Sequence, residues 1–150
     1  MLLLAAVASL ALPAYASAAP MADAAAITTP KQALGHDLGE DYFLASYRQL
    51  QTYWKSLDAQ SDRAQLVEIG KTSEGRPQYM MVVSSPENLK ALDRYRDIAA
   101  KLAKGEVSEA EARKLAGEGK AVVWIDGGLH ASEVEPAQAL MLAVYRAVTD

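Results

Sequence analysis

The chain has 150 residues, of which 51% are hydrophobic and 23% charged, and its formal net charge is −4. This length and composition are typical of a globular domain with one core. The basic residues are not clustered, which argues against nucleic-acid binding because that function needs a basic patch against the phosphates. Cysteine is absent, which excludes disulfides, thiolate metal ligands and a cysteine nucleophile. Any metal must therefore be held by histidine, aspartate or glutamate, and the only histidines are His36 and His130.

The first 18 residues are predicted to be a signal peptide. A nearly continuous apolar run over residues 1–12 is followed by the small residues Ala16 and Ala18, so cleavage is predicted after Ala18. The run is shorter than the roughly 20 residues that span a bilayer as a helix. No basic residue precedes it, which leaves an initiator upstream of Met1 or an uncleaved membrane anchor as alternatives. The sequence predicts a secreted or periplasmic protein without stable membrane association after cleavage.

Residues 19–39 contain two prolines and two glycines among small and polar residues and are predicted to form a flexible leader. His36 lies in this stretch and is interpreted as a solvated loop residue rather than a metal ligand. From residue 40 an amphipathic helix is predicted, because apolar residues recur at spacings of three and four. Packing in the core, rather than a ligand platform, is the preferred interpretation of this stripe, which comprises Phe43, Tyr47, Leu50, Trp54 and Leu57.

The sequence of the middle of the chain predicts a hairpin, a pair of helices and a buried strand. Residues 65–70 contain alternating apolar residues, and residues 78–84 contain a continuous apolar run. A Gly/Pro turn lies between them, which is typical of two antiparallel strands. Charged helices over residues 87–104 and 108–115 are interpreted as a solvated insertion, with a partner-binding arm as the alternative. The continuous apolar run at residues 120–126 predicts a third strand, buried on both faces.

A final helix is predicted to open at Pro136, and it reaches residue 150 without a stop signal. The order of elements predicts the opening of an α/β sheet protein. The chain is therefore interpreted as an N-terminal fragment.

His130 and Glu133 lie three residues apart, just beyond the carboxyl end of the predicted third strand and its Gly127-Gly128 turn. Ligands of open α/β sheets collect at that edge, and zinc accepts both imidazole nitrogen and carboxylate oxygen. The spacing alone is a weak signal, and a strand-end loop with a helix-start carboxylate is an equal alternative. A catalytic zinc site usually has three protein ligands, and only His36 could supply a further imidazole from within the chain.

Two segments resemble the zinc carboxypeptidase family of the carboxypeptidase A and B type. They are IGKTSEGRP at residues 69–77, which resembles the family's hairpin turn, and WIDGGLHASE at residues 124–133. The resemblance covers about residues 40–150 and implies the N-terminal portion of a three-layer α/β/α catalytic domain with a mixed sheet. It also implies a zinc-dependent hydrolase that removes C-terminal residues from peptide or protein substrates.

By this resemblance, His130 and Glu133 are the first two zinc ligands of a set of two histidines and one glutamate. The family's second histidine, its substrate-binding arginine, its tyrosine and its general-base glutamate lie downstream, so no catalytic residue is assigned within the chain. The resemblance implies a structural role for the turn residues 74–76.

Two departures from the family pattern concern the substrate. Ser132 occupies the position of an arginine that helps bind substrate in the pancreatic enzymes, and residues 86–119 exceed the connection found there, which suggests a bacterial subgroup. Glu135 is acidic and close to the pair, but a helix-start carboxylate explains it equally well. A related zinc deacylase and a non-catalytic binding module remain alternatives, although the Glu-Gly-Arg-Pro turn favours the peptidase branch.

Overall fold

The computed structural model describes residues 27–150, so the predicted signal peptide lies outside the described residues. Within them the chain forms six helices and one two-stranded sheet: α1 (Pro30–Leu34), α2 (Tyr47–Gln60), β1 (Ala64–Lys71), β2 (Pro77–Val83), α3 (Pro86–Lys90), α4 (Leu92–Lys104), α5 (Glu109–Glu118) and α6 (Val134–Thr149). None of these helices combines the length and the apolar character needed to cross a membrane. Helices around a small sheet agree with part of an α/β carboxypeptidase domain.

The part of the predicted leader that the structure describes, residues 27–39, is ordered against the core, which corrects the expectation of flexibility there. The short helix α1 has a capping box at Thr29 and a left-handed C-cap at Gly35, and its Leu34 is buried. Thr28 is tied to α2, since its carbonyl accepts from the Tyr53 hydroxyl at 3.1 Å and its amide donates to Gln60 Oε1 at 2.9 Å. Local caps and contacts with α2 therefore order a stretch whose composition is typical of a linker.

Helix α2 begins at Tyr47 rather than at residue 40, because Ser46 caps it in a capping box with Gln49. Leu50 and Leu57 of the predicted stripe are buried, and Phe43 and Trp54 are partly buried against the same core. Tyr47 of the stripe is 48% exposed, whereas Tyr53, which was not in the stripe, is buried. Packing in the core is therefore confirmed for the stripe except at Tyr47. Burial raises the pKa of the Tyr53 phenol well above its usual value.

The predicted hairpin is confirmed. Strands β1 and β2 pair antiparallel from Ala64 opposite Val83 to Lys71 opposite Pro77, with an irregularity between Glu68 and Gly70. The connecting turn closes through the Thr72 amide, which donates to the Arg76 carbonyl at 2.8 Å. Gly75 in this turn has φ +75°, a conformation that a residue without Cβ adopts at no steric cost.

The charged helical region forms three helices rather than the two predicted. Ala91 interrupts the first of them with φ −109° and ψ 17°, and its amide donates to the Asn88 carbonyl, a tight turn that ends α3. The predicted N-cap Ser108 is confirmed, since its side chain accepts from the Glu111 amide at the start of α5. Ile98 and Leu115 are buried outside the main cluster, so α4 and α5 have their own small apolar contact.

The core lies between α2, α6 and the hairpin, with α1 closing one side. Tyr53, Leu57 and Met141 are almost completely buried in it, and partly buried apolar residues of β2 and α6 pack against them. Helix α6, which follows the candidate site, is thereby fixed to the core, and the loop that precedes α6 is held at one end.

The predicted third strand is wrong for the chain as described. Residues 120–126 carry no strand assignment and make no backbone hydrogen bond to another segment within residues 27–150. The exposed fractions of Val122, Val123, Trp124 and Ile125 range from 64% to 81%. An apolar run predicts burial, but a strand also needs a hydrogen-bonded neighbour, and the described residues supply none.

A cleft of about 450 Å³ separates these residues from β2. It is lined by residues 79–84, of which 79–83 belong to β2, by residues 120–127, and by residues of the neighbouring β1, α2, α4 and α6. The cleft therefore lies between residues 120–127 and a surface to which the hairpin and neighbouring helices contribute.

We expect the exposed apolar run to promote self-association, because open apolar edges are templates for pairing between chains. Replacing Val123, which is 80% exposed, with lysine should increase the monomeric fraction in sedimentation velocity without lowering the melting temperature. Leu44→Lys is the matched control, since Leu44 is 59% exposed but lies elsewhere. Equal association of the wild-type and Val123→Lys chains would contradict the prediction.

Candidate metal centre

The loop that carries the candidate site connects the apolar run to α6. The two glycines at its start have different roles. Gly128 has φ +84°, the left-handed conformation that glycine adopts most readily. A Cβ on Gly127 would lie 2.9 Å from the Pro136 carbonyl carbon and oxygen and from Leu140 Cδ1. One glycine therefore allows the turn and the other allows the chain to approach α6 closely.

Helix α6 begins at Val134, with Glu133 as its N-cap residue, so the prediction that Pro136 opens the helix is wrong by two residues. Pro136 is the third residue of the helix. Amides of the first helical turn have no partner within the helix, so proline is tolerated there as well as at the first position.

His130 and Glu133 form a close pair. The distance between His130 Nδ1 and Glu133 Oε1 is 2.7 Å, and the second carboxylate oxygen lies 3.4 Å from the His130 amide nitrogen. The Glu133 amide donates to the His130 carbonyl at 3.0 Å, which closes a turn. Both side chains are accessible, with exposed fractions of 68% for His130 and 44% for Glu133. The turn thus brings an imidazole and a carboxylate to one accessible point.

The chemistry of this pair fits zinc. A neutral imidazole offers a nitrogen lone pair, and the carboxylate offsets part of the charge of the dication. Two donors that share one ion at about 2 Å each lie roughly 3 Å apart, and the two atoms that face each other here are 2.7 Å apart. A small adjustment of either side chain would replace their hydrogen bond by shared coordination.

No group of three or more potential ligands occurs among residues 27–150. Asp126, the nearest preceding carboxylate in the sequence, accepts from Trp124 Nε1 at 3.0 Å. Among the described residues the pair therefore contributes two candidate donors, one nitrogen and one carboxylate oxygen.

His36 is not brought to the pair. Its Nδ1 lies 3.2 Å from Glu40 Oε1, and its ring stacks on Phe43 with the ring centroids 4.1 Å apart. The side chain is 45% exposed. This placement agrees with its interpretation as a loop residue and gives the chain a second, separate histidine–glutamate pair.

Comparison with known families identifies the class of protein. The family model for zinc carboxypeptidases matches residues 50–150, which is more than half of the chain and includes the hairpin, the loop and α6. The chain belongs to the zinc carboxypeptidase family. Searches of curated proteins and of solved structures give no significant match.

The sequence predicts the two candidate ligands and the turn that joins them to the apolar run. It also offers a helix-start carboxylate as the alternative interpretation of Glu133, and the structure places Glu133 at the N-cap of α6, without a side-chain hydrogen bond to the helix. It does not predict that the carboxylate contacts the His130 ring. Position 133 precedes a helical pattern, and carboxylates favour helix starts, so the N-cap position had a sequence signal. The only sequence feature that indicated the close contact of Gly127 with Pro136 was the pair of adjacent glycines.

Proposed function

We propose that His130 and Glu133 are two ligands of a catalytic zinc ion in a peptidase that removes C-terminal residues from peptides or proteins. The observation that carries the proposal is the 2.7 Å approach of their donor atoms within the segment matched by the zinc carboxypeptidase model.

The chemistry of each residue follows from its type. A bound zinc ion lowers the pKa of a water ligand and polarises a carbonyl group. His130 supplies a neutral donor, and Glu133 supplies negative charge that holds the cation. Glu133 is the N-cap residue of α6, so its carboxylate lies beside the partial positive charge at this end of the helix. The accessible side of the pair leaves room for substrate.

We further propose that residues 40–150 form the N-terminal portion of the catalytic domain and that a later portion supplies the remaining ligand and the general base. Two features support this. Residues 27–150 supply two donors at the site, whereas catalytic zinc usually has three protein ligands. The apolar residues 122–125 are exposed beside a cleft that also borders β2, and β2 pairs only with β1 among residues 27–150; a larger mixed sheet would supply the missing neighbour.

The proposal includes export, with residues 1–18 as a signal peptide cleaved after Ala18. It rests on the apolar run and the small residues that follow it. Because the chain has no cysteine, it needs neither an oxidising nor a reducing compartment for thiol chemistry.

The proposal predicts that residues 19–150 alone bind zinc weakly and hydrolyse no peptide, because two ligands hold zinc poorly and no general base is present. Zinc affinity would be measured by competition with a chromogenic chelator, and hydrolysis by release of amino acids from peptides with different C-terminal residues. Tight stoichiometric zinc binding would show that the chain needs no further ligand.

A matched control separates the candidate site from the second pair. In Glu133→Gln the amide keeps the size of the side chain but removes its charge, and zinc binding should weaken further. In Glu40→Gln the same change is made beside His36, and zinc binding at His130 should be retained. Equal effects of the two substitutions would contradict the assignment of the site.

A further inference from the structure

Three hydrogen bonds join the N-terminal strap, residues 27–45, to α2, and all three meet at Thr28. The Tyr53 hydroxyl donates to the Thr28 carbonyl at 3.1 Å. The Gln60 side chain makes the other two, because its Oε1 accepts from the Thr28 amide at 2.9 Å and its Nε2 donates to the Thr28 hydroxyl at 3.0 Å. The Tyr53 side chain is 1% exposed, and a buried hydroxyl without a partner is costly. The strap is therefore attached to α2 at a specific point.

The strap also packs into the core that holds α6. Its Leu34 is buried in the main cluster, which includes Met141 and Val148 of α6. Four further apolar residues of the strap are partly buried against this cluster: Ile27, Leu38, Phe43 and Ala45. Burial, and after it the nearby Tyr145 phenol of α6, raise the pKa of Tyr53. Helix α6 has its main contacts with α1 and β2. The strap therefore connects α2 with the helix that follows the metal pair.

We propose that the strap is a clamp whose attachment at Thr28 fixes α6 and thereby couples the N-terminal segment to the metal pair. The coupling to the metal rests on the proposed zinc site, whereas the hold on α6 does not. Glu133 is the N-cap residue of α6, so the position of this helix determines the position of one candidate ligand. The strap precedes residues 50–150, which the family model matches, so the clamp lies outside the matched region.

The strap has the features of a segment that opens locally. Its helix α1 has five residues, and a helix of that length is not stable without its contacts. Gln60, which makes two of the three hydrogen bonds to Thr28, is exposed. Such segments open at a smaller free-energy cost than the core. Because coupling is reciprocal, a ligand that favours the fixed position of α6 must also favour the attached strap.

The hold on α6 is tested by amide hydrogen exchange of residues 19–150, followed residue by residue by NMR. Tyr53→Phe removes the hydroxyl and keeps the ring, and Gln60→Ala removes the other two hydrogen bonds. In each variant the amides of Ala33 and Gly35, which are hydrogen-bonded in α1, should exchange about two- to tenfold faster, as expected for the loss of such bonds. The amides of α6 should accelerate by the same factor, and those of the hairpin by less.

Tyr47→Phe is the matched control. It removes another tyrosine hydroxyl of α2 that donates to a backbone carbonyl, that of Pro77, which lies outside the strap. The control should leave exchange in α1 and α6 unchanged. Acceleration of α1 without α6 would show that the strap does not hold the helix, and equal acceleration of the hairpin would indicate a general loss of stability. Either result overturns the clamp.

The coupling to the metal pair is tested with zinc chloride in the same experiment. Zinc that shifts the His130 imidazole signal should slow exchange in α1 of the wild-type chain by about twofold or more. This slowing should be absent in His130→Ala, and a strap that only stabilises the core would not respond to zinc. If zinc shifts His130 without slowing α1, the coupling is wrong and the proposed site stands. If zinc fails to shift His130, the proposed site and the coupling are both wrong, and exchange in α6 still decides whether the strap holds that helix.

Discussion

Replacing His130 with alanine is expected to abolish the zinc response of the candidate site. The imidazole is the only nitrogen donor of the pair, and a single carboxylate holds zinc too weakly to define a site. We expect zinc affinity to fall by about tenfold or more, which corresponds to about 1.4 kcal/mol or more of binding free energy. The measurement is the zinc-induced shift of the backbone amides of residues 128–133.

His36→Ala is the control for this experiment. Both histidines have a glutamate partner, at 2.7 Å for His130 and 3.2 Å for His36. His36→Ala therefore also removes an imidazole that lies beside a glutamate carboxylate, but at a different place in the fold. The control should leave the shifts of residues 128–133 unchanged. A zinc response of this loop that survives His130→Ala, or that disappears in His36→Ala, would contradict the assignment of the ligands.

Leu57→Ala is expected to cause a large loss of stability. The Leu57 side chain is completely buried between α2 and its neighbours, and removing a buried leucine side chain costs about 2–5 kcal/mol, including the cavity left behind. This is a large part of the roughly 5–15 kcal/mol by which small domains are stable. The free energy of unfolding would be measured by urea denaturation followed by circular dichroism.

Leu44→Ala makes the same chemical change at a site that is 59% exposed, and it should change stability by less than about 0.5 kcal/mol. Similar losses in the two variants would show that the core does not depend on α2 as described. The comparison also bears on the site, because α6 is held by the same core cluster as Leu57. Zinc binding by Leu57→Ala should therefore weaken only as its folded fraction falls.

The family match and the cleft beside β2 both involve the exposed apolar run at residues 120–126. The matched region includes residues 120–126, where the apolar run is exposed and the cleft beside it also borders β2. In a parallel α/β sheet such a run is covered on both faces. Under the proposed function, a strand outside residues 27–150 would pair with this run and support the site at its end.

Local patterns in the sequence were sufficient for much of the fold. The hairpin follows from two apolar runs around a Gly/Pro turn, and the start of α5 follows from the cap at Ser108. Helical spacing also predicted the burial of Leu50 and Leu57 in α2, although Tyr47 of the same stripe is 48% exposed. The adjacency of His130 and Glu133 also follows from their spacing on a tight turn, because three residues cannot separate them far.

The tertiary structure decided what depends on distant partners. Composition predicts a flexible chain at residues 27–39, but contacts of Thr28 with α2 order it. The apolar character of residues 120–126 predicts a buried strand, yet burial and pairing require neighbours that hydropathy cannot specify. The same holds for Gly127, whose close approach to Pro136 depends on the position of α6. Local chemistry thus determines the candidate ligands, whereas packing determines how they are held.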